Sequence, residues 1–318
     1  MSKLTILTEA GSNIGFGHYS RCKAIFENLI PYDIKKEFLV NCKEVKLFDN
    51  EIKNIDWINK IESFNPTEKN HVILIDSYLA DEKIYFLLKS RFKRVIALDD
   101  YNRIIYDVSL IINPNVCFKN IDYSNQKARI KGGKSYVILR KEFREISNKI
   151  VNKECNKILV TLGGSDYRNI LQLIVELSHD FPELQWTIIN PENKKLKRLI
   201  NKTILHNTIN PKSMASLMLD SDIAISGCGQ TLNELVSIGT PTIGICIDDD
   251  QVYNQNFYFE NDFIKHKNFW DEPHLKTKLK MQINELLKYE NRKEIFKNTR
   301  DLINKNGVIN LIKNIITI

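Results

Sequence analysis

The sequence predicts an α/β protein built from two doubly wound parallel-sheet domains in tandem, and three observations predict it. Short, continuous apolar runs alternate with longer amphipathic ones, as expected of strands buried on both faces between helices. The alternation stops at a polar, charged segment, "RKEFREISNKIVNKEC" (140–155), and then starts afresh. Several apolar runs end in Gly- or Asp-containing exits where a helical pattern begins.

In chain order, the strand candidates of the first half are "KLTILTE" (3–9), "EFLVNC" (37–42), "HVILIDS" (71–77), "RVIALDD" (94–100) and "VSLIINP" (108–114). Helical patterns fill 18–30 and 81–91, the latter with Ile84, Leu87 and Leu88 at helical spacing. The second half restarts with "NKILVTLGGSD" (156–166), a strand running into a Gly-rich loop, followed by a helix over 168–180. "LQWTIIN" (184–190), "SDIAISGCGQ" (221–230) and "TPTIGICI" (240–247) are further strands, and 273–318 reads as two or three helices. The run "NKKLKRLINK" (193–202) reads as the solvated face of a helix rather than a nucleic-acid patch. The expected domains are 1–145 and 146–318. Tandem sheets of this kind are expected to face a cleft lined by their carboxyl ends, where doubly wound folds bind ligands.

Composition sets the outer limits. A chain of 318 residues with 43% hydrophobic and 27% charged residues is an ordinary globular protein of two domains. A net charge of +7 admits an anionic partner such as a nucleotide, but the lysines are dispersed and lack interleaved aromatics, which argues against nucleic acid. The six cysteines form no CxxC and no zinc spacing and sit in or beside apolar runs, as in a reducing cytosol. The N-terminal run is too short for a signal peptide, and no stretch approaches the ~20 apolar residues of a membrane span. The expectation is a cytoplasmic monomer.

Three Gly-rich exits hold the candidate chemistry. In "GSNIGFGHYSRC" (11–22), Gly15 and Gly17 precede His18 and Arg21 where a strand passes into a helix. The pattern is neither G-x-G-x-x-G nor a P-loop. What remains is a turn open to a ligand and a histidine, the residue type best suited to general-base work at neutral pH. In "TLGGSD" (161–166), Gly163 and Gly164 allow close backbone approach, and Ser165 could donate to a phosphate or cap the next helix. In "SGCGQTLNEL" (226–235), the helix opening at Gln230 and Thr231 is a candidate pyrophosphate seat. Glu234, one turn on, could pair with ribose hydroxyls or simply be a helix-stabilising acid. Asp99–Asp100 and Asp248–Asp250 end strands, but neither has a complete set of metal ligands, and turns favour Asp in any case. No GxSxG elbow and no HExxH is present.

In this order the motifs resemble those of the PseG/SpsG-like nucleotide-sugar hydrolases, which share the two-domain GT-B-like architecture of MurG-type glycosyltransferases. The resemblance covers roughly residues 4 to 260. It is carried by "IGFGHYSRC" (14–22), "DSY" (76–78), "DD" (99–100), "NPN" (113–115), "YVILRKEF" (136–143), "GGSD" (163–166), "TLNEL" (231–235) with "GTP" (239–241), and "DQVYNQN" (250–256). The "GxGHxxRC" start combined with "LRxEF" separates the chain from ordinary glycosyltransferases.

The resemblance implies release of UDP from UDP-2,4-diacetamido-2,4,6-trideoxy-β-L-altropyranose or a close relative, in pseudaminic acid biosynthesis, without metal or cofactor. It implies His18 as the catalytic base. Gly15, Gly17, Arg21, Tyr78 and Asp99 would lie about the phosphates and sugar, and Asp250, Gln251 and Asn254 would touch the sugar. Gly164, Ser165, Gln230, Thr231 and Glu234 would hold the UDP. The rival expectations are a GT-B glycosyltransferase using a UDP-sugar donor, a nucleotide-sugar 2-epimerase, and a nucleotide-sugar binding protein without turnover.

Overall fold

β1 (Lys3–Glu9) sends Leu4 and Ile6 into one apolar cluster and Leu7 into a second, so both faces of its sheet are covered. The computed structural model describes residues 2–11, 14–43, 50–147, 149–207, 209–299 and 301–317. Ser12 and Asn13 of the first Gly-rich turn lie outside the described residues. The chain divides into two units, Met1–Leu139 with Asn304–Ile318, and Arg140–Ile303.

In the first unit β1 is followed by α1 (Gly17–Glu27), β2 (Lys35–Asn41), β3 (Ile52–Asn54), β4 (His71–Asp76), α2 (Glu82–Arg91), β5 (Arg94–Leu98), β6 (Leu110–Asn113) and β7 (Arg129–Gly132). Among the described residues these strands form one parallel sheet in the order β3-β2-β1-β4-β5-β6-β7. Ile25, Phe26 and Leu29 of the α1 segment pack on one face against Val72, Leu74, Ile96 and Ile112. Ile84, Tyr85 and Leu88 of α2 pack on the other against Ile73, Ile75, Val95 and Ala97. The Asp81 side chain caps α2 by accepting from Ile84 N at 3.0 Å, and Lys89 and Arg91 complement its C-terminal end.

His71 starts β4 as a buried, hydrogen-bonded imidazole. Thr67 N–H donates to its Nδ1 (3.3 Å), which leaves Nε2–H to donate to Thr5 Oγ1 at 2.8 Å, and that hydroxyl donates on to Glu37. Burial, reinforced by Lys3 and opposed by Glu37 and Glu68, lowers its pKa to about 4. A histidine lowered on folding stabilises the fold fully above its unfolded value near ~6.5 and loses that contribution as pH falls toward 4. Urea midpoints are therefore expected to fall between pH 7 and 4 by an amount equivalent to roughly 2 kcal/mol after solvent screening, and His71→Asn should flatten that slope.

The second unit opens with α3 (Lys141–Glu145) and continues through β8 (Lys157–Thr161), α4 (Ile170–Ser178), β9 (Gln185–Ile189), β10 (Thr203–His206), α5 (Pro211–Asp220), β11 (Ile223–Gly227), α6 (Gln230–Ile238), β12 (Thr242–Cys246), α7 (Val252–Glu260), β13 (Asn268–Phe269), α8 (Leu275–Leu287) and α9 (Tyr289–Asn298). Its parallel sheet runs β10-β9-β8-β11-β12-β13 among the described residues. Gly239 closes α6 at φ +90°, and its N–H donates to Leu235 O at 2.9 Å; a side chain there would strike the Phe296 ring.

α10 (Gly307–Thr317) belongs to the first unit, where Val308, Leu311, Ile312 and Ile315 join the cluster on the α1 face. Its C-terminal end is met by the Arg94 guanidinium, which donates to Ile315 O at 2.6 Å. The division at 145/146 read from the sequence thus differs from the structure on two counts. The first unit closes at Leu139, and residues 304–318 return to it because their apolar helix face completes its core.

The run 193–202 is not helical. Asn193 and Arg198 have φ of 51° and 59°, and the segment is irregular up to β10. Like charges at helical spacing, Lys194 with Lys197 and Arg198, and Arg198 with Lys202, disfavour a helix there.

No helix among the described residues is long and apolar enough to cross a membrane. Among those residues no group of three or more His, Cys, Asp or Glu side chains is placed to hold a metal ion.

Candidate functional site

Both sheets reverse their strand order after the first strand, between β1 and β4 in one unit and between β8 and β11 in the other. Ligands of such sheets bind outside the strand carboxyl ends at this reversal. Most of the sequence-predicted residues of each unit lie on loops and helix starts at these strand ends.

In the first unit, Gly15 (φ +79°) and Gly11 exchange backbone hydrogen bonds of 2.7 and 3.2 Å, which closes the turn after β1. α1 then starts at Gly17 with no side-chain cap, and there is open space around Gly15 and Gly17. His18, in the first turn of α1, is buried with its Nδ1 2.7 Å from Asp76 Oδ1 at the end of β4. Arg21, one turn on, donates from Nε to Asp76 Oδ2 (2.5 Å) and from its second terminal nitrogen to Asp76 Oδ1 (2.6 Å). The same guanidinium grips Asp100 through both terminal nitrogens, at 2.7 and 2.9 Å.

Tyr78 completes this group. Its hydroxyl donates to Asp100 Oδ2 at 2.8 Å, and its ring stands edge-on to His18 with centroids 4.2 Å apart. Glu9, at the end of β1, holds the Tyr78 turn by accepting from the Ser77 hydroxyl and, at 2.6 Å, from Tyr78 N.

Burial would raise the Asp76 carboxyl, but Arg21 and His18 overcome it and hold Asp76 well below the usual carboxylate range. Asp100 is lowered in the same way, burial opposing and Arg21 prevailing. Burial followed by the Asp100 charge pushes the Tyr78 phenol far up, so it stays a hydrogen-bond donor.

Asp99 does not join this group. It accepts from Tyr106 OH (2.5 Å), from the Tyr123 hydroxyl and from Asn102 N (2.6 Å), which ties down the loop after β5. Its neighbour Asp100 faces Arg21 instead. Asp76 and Asp100 are the members of this candidate group that reading the sequence missed, although "DSY" and "DD" at two strand ends were the signal for them.

In the second unit, Gly163 (φ +109°) and the exposed Gly164 end β8 with open space around both. Gly227 ends β11 against them, where a Cβ would lie 2.8 Å from Leu162 O, so only glycine lets the two exits approach this closely. The α6 start at Gln230 and Thr231 carries no side-chain cap. Ser165 does not cap α4; the Asp166 carboxylate does so by accepting from Ile170 N (2.8 Å) and Leu171 N (3.2 Å). The Ser165 hydroxyl takes no hydrogen bond among the described residues.

Glu234 is buried one turn into α6, and two Arg140 nitrogens converge on its Oε1 at 2.9 and 2.8 Å. Burial raises its carboxyl while Arg140 works against the rise. This pair explains the "LRKEF" run. Arg140 neutralises Glu234, while Phe143 is fully buried and its carbonyl accepts from Ser237 at 3.4 Å, which docks α3 on α6.

Gln251 and Asn254 brace the same turn: Gln251 Oε1 accepts from Cys228 N (3.0 Å) and Ile247 N (3.2 Å), and Asn254 donates to Cys228 O (3.3 Å). Asp250 is exposed beside them.

Residues 132–315, more than half of the chain, match the model of the Glycosyltransferase family 28 C-terminal domain. Among curated relatives, the chain is 24% identical over 255 residues to a Helicobacter pylori protein named pseudaminic acid cytidylyltransferase and UDP-2,4-diacetamido-2,4,6-trideoxy-beta-L-altropyranose hydrolase, covering 78% of this chain and 45% of that one. It is 29% identical over 142 residues to the spore coat polysaccharide biosynthesis protein SpsG of Bacillus subtilis, covering 42% of this chain and 41% of that one. The chain spans about half the length of the curated relatives it matches. Among solved structures, Acinetobacter baumannii MurG superposes with a TM-score of 0.61 at 11% identity, covering 99% of this chain and all of that one, which shows a shared GT-B-like fold. The PseG/SpsG-like family resemblance carried by the motifs is thereby borne out.

Proposed function

From a chain that belongs to the glycosyltransferase family 28 C-terminal domain family, we propose a nucleotide-sugar hydrolase. It releases UDP from UDP-2,4-diacetamido-2,4,6-trideoxy-β-L-altropyranose or a close relative by inverting attack of water at the anomeric carbon. The name of the Helicobacter pylori relative supports the substrate class. The observation that carries the reaction is the buried His18–Asp76 contact at the reversal point of the first sheet.

In this reading His18 is the water's base. One proton of the water passes to the imidazole and its oxygen bonds to the anomeric carbon. The carbon–oxygen bond to the diphosphate breaks, with its electron pair leaving on UDP. A positioned base is worth about 10²–10⁴-fold, and a diphosphate leaving group needs charge stabilisation more than a proton. Backbone N–H groups at the uncapped α6 start, with Gln230 and Thr231, and the Gly164–Ser165 turn are assigned to the diphosphate as preorganised donors. Glu234 is assigned to the ribose through Oε2, which takes no hydrogen bond among the described residues because both Arg140 contacts go to Oε1. Tyr78, the Gly15 and Gly17 turn, Asp250 and Asn254 are assigned to the sugar, with Gln251 able to offer only its Nε2.

The test is a phosphorus NMR time course with this UDP-sugar, no acceptor and EDTA present. UDP released by the wild-type protein is the expected outcome. The family also favours a second reading, transfer to an acceptor hydroxyl. UDP appearing only after an acceptor is added would establish that reading and remove hydrolysis.

A further inference from the structure

Arg21 belongs to the motif whose resemblance assigns it to phosphate and sugar, yet its donors are already engaged. Of its five N–H groups, four point at carboxylate oxygens of Asp76 and Asp100 at 2.5 to 2.9 Å. Both carboxylates are held in turn, Asp76 by His18 Nδ1 at 2.7 Å and Asp100 by Tyr78 OH and Asn115 Nδ2, each at 2.8 Å. The guanidinium has no free fork to turn toward a diphosphate.

The same contacts settle the tautomer of His18. Its Nδ1 lies 2.7 Å from Asp76 Oδ1 and 3.1 Å from an Arg21 terminal nitrogen. That nitrogen carries two hydrogens, and both have closer carboxylate acceptors, at 2.6 and 2.9 Å. The proton in the 2.7 Å contact therefore sits on Nδ1, which leaves Nε2 as the basic nitrogen of the neutral ring. With His18 neutral, Arg21, Asp76 and Asp100 sum to one excess negative charge. That excess repels an incoming diphosphate and is cancelled when the imidazole takes a proton.

We propose that Arg21 and Asp76 are positioning residues that lock His18 with Nε2 as the free base, and that Arg21 is not a ligand of the substrate's phosphates. This rests on the reading of His18 as the base that accepts a water proton. Arg21 fixes Asp76, Asp76 fixes the imidazole, and Asp100 supplies the second carboxylate that keeps Arg21 from swinging away. The catalytic contact with water belongs to His18 alone.

The test uses the full chain labelled with ¹⁵N at histidine, together with Asp76→Asn, Arg21→Gln and the conservative Arg21→Lys. At alkaline pH the wild-type His18 ring should show a proton on Nδ1, and Asp76→Asn should move it to Nε2. Steady-state kinetics should show kcat reduced by about 10²-fold or more in Asp76→Asn, as expected when a base loses its orienting carboxylate, with KM changed less than about threefold. Arg21→Gln should lower kcat while leaving the inhibition constant of UDP unchanged, and Arg21→Lys should recover part of the loss.

Two results would overturn the proposal: a wild-type ring protonated on Nε2, or an Arg21→Gln protein that keeps kcat and binds UDP tenfold or more weakly. If the wild-type protein releases no UDP, the hydrolase reading fails, while the ring tautomer still decides the positioning of His18.

Discussion

His18→Ala is expected to slow UDP release by about 10²–10⁴-fold, the range a positioned general base supplies, with little change in KM or in stability. The structure explains why the effect should fall on the rate. The imidazole's hydrogen bond runs to Asp76, and Asp76 keeps two further bonds from Arg21 when the ring is removed. No buried carboxylate is left unpaired, so the large penalty for orphaning a charge does not arise. The nucleotide-binding residues assigned above lie in the other unit and are untouched. Phosphorus NMR gives the rate, and a thermal melt of the same sample reports stability. A rate within threefold of wild type, with the fold intact, would remove His18 from the mechanism.

Gly307→Ala is expected to have the largest effect on stability of any single methyl addition in the first unit. A Cβ on Gly307 would lie 2.2 Å from Val137 O and 2.7 Å from Val137 N, both backbone atoms that cannot rotate away. Elsewhere, replacing a helical glycine by alanine stabilises a protein by up to about 1 kcal/mol through the unfolded chain. Here the sign should reverse. α10 must lift from the backbone at 136–137, and Val308, Leu311 and Ile312 lose packing in the α1-face cluster, a strain of about 1–3 kcal/mol or more. Urea unfolding followed by far-ultraviolet circular dichroism measures the midpoint. An unchanged or higher midpoint would mean that the start of α10 shifts freely.

The central strands were legible because burial on both faces leaves a continuous apolar run, as in "HVILID" for β4 and "KILVT" for β8. The edge strands were not. β3 reads "IKN", β7 "RIKG", β10 "TILH" and β13 "NF", too short and too mixed to stand out once one side lacks a neighbour.

The candidate site was legible where local chemistry marks it, as with His18 in a Gly-rich turn. It was illegible where the partner lies far along the chain. Arg140 and Glu234 are 94 positions apart, and nothing local in either segment pairs them. In "DD" two adjacent carboxylates leave β5 facing different surroundings, and the sequence alone does not say which of them meets Arg21.

Because α10 completes the first unit, that unit is begun before the second and closed after it. While residues 140–303 emerge from the ribosome, the apolar residues that α10 will cover, among them Ile25 and Leu29, wait without their partner. The second unit is contiguous in the chain and can fold as it is made. The order of folding is thus set against the order of translation, and the nascent chain carries an open apolar seam until α10 is released.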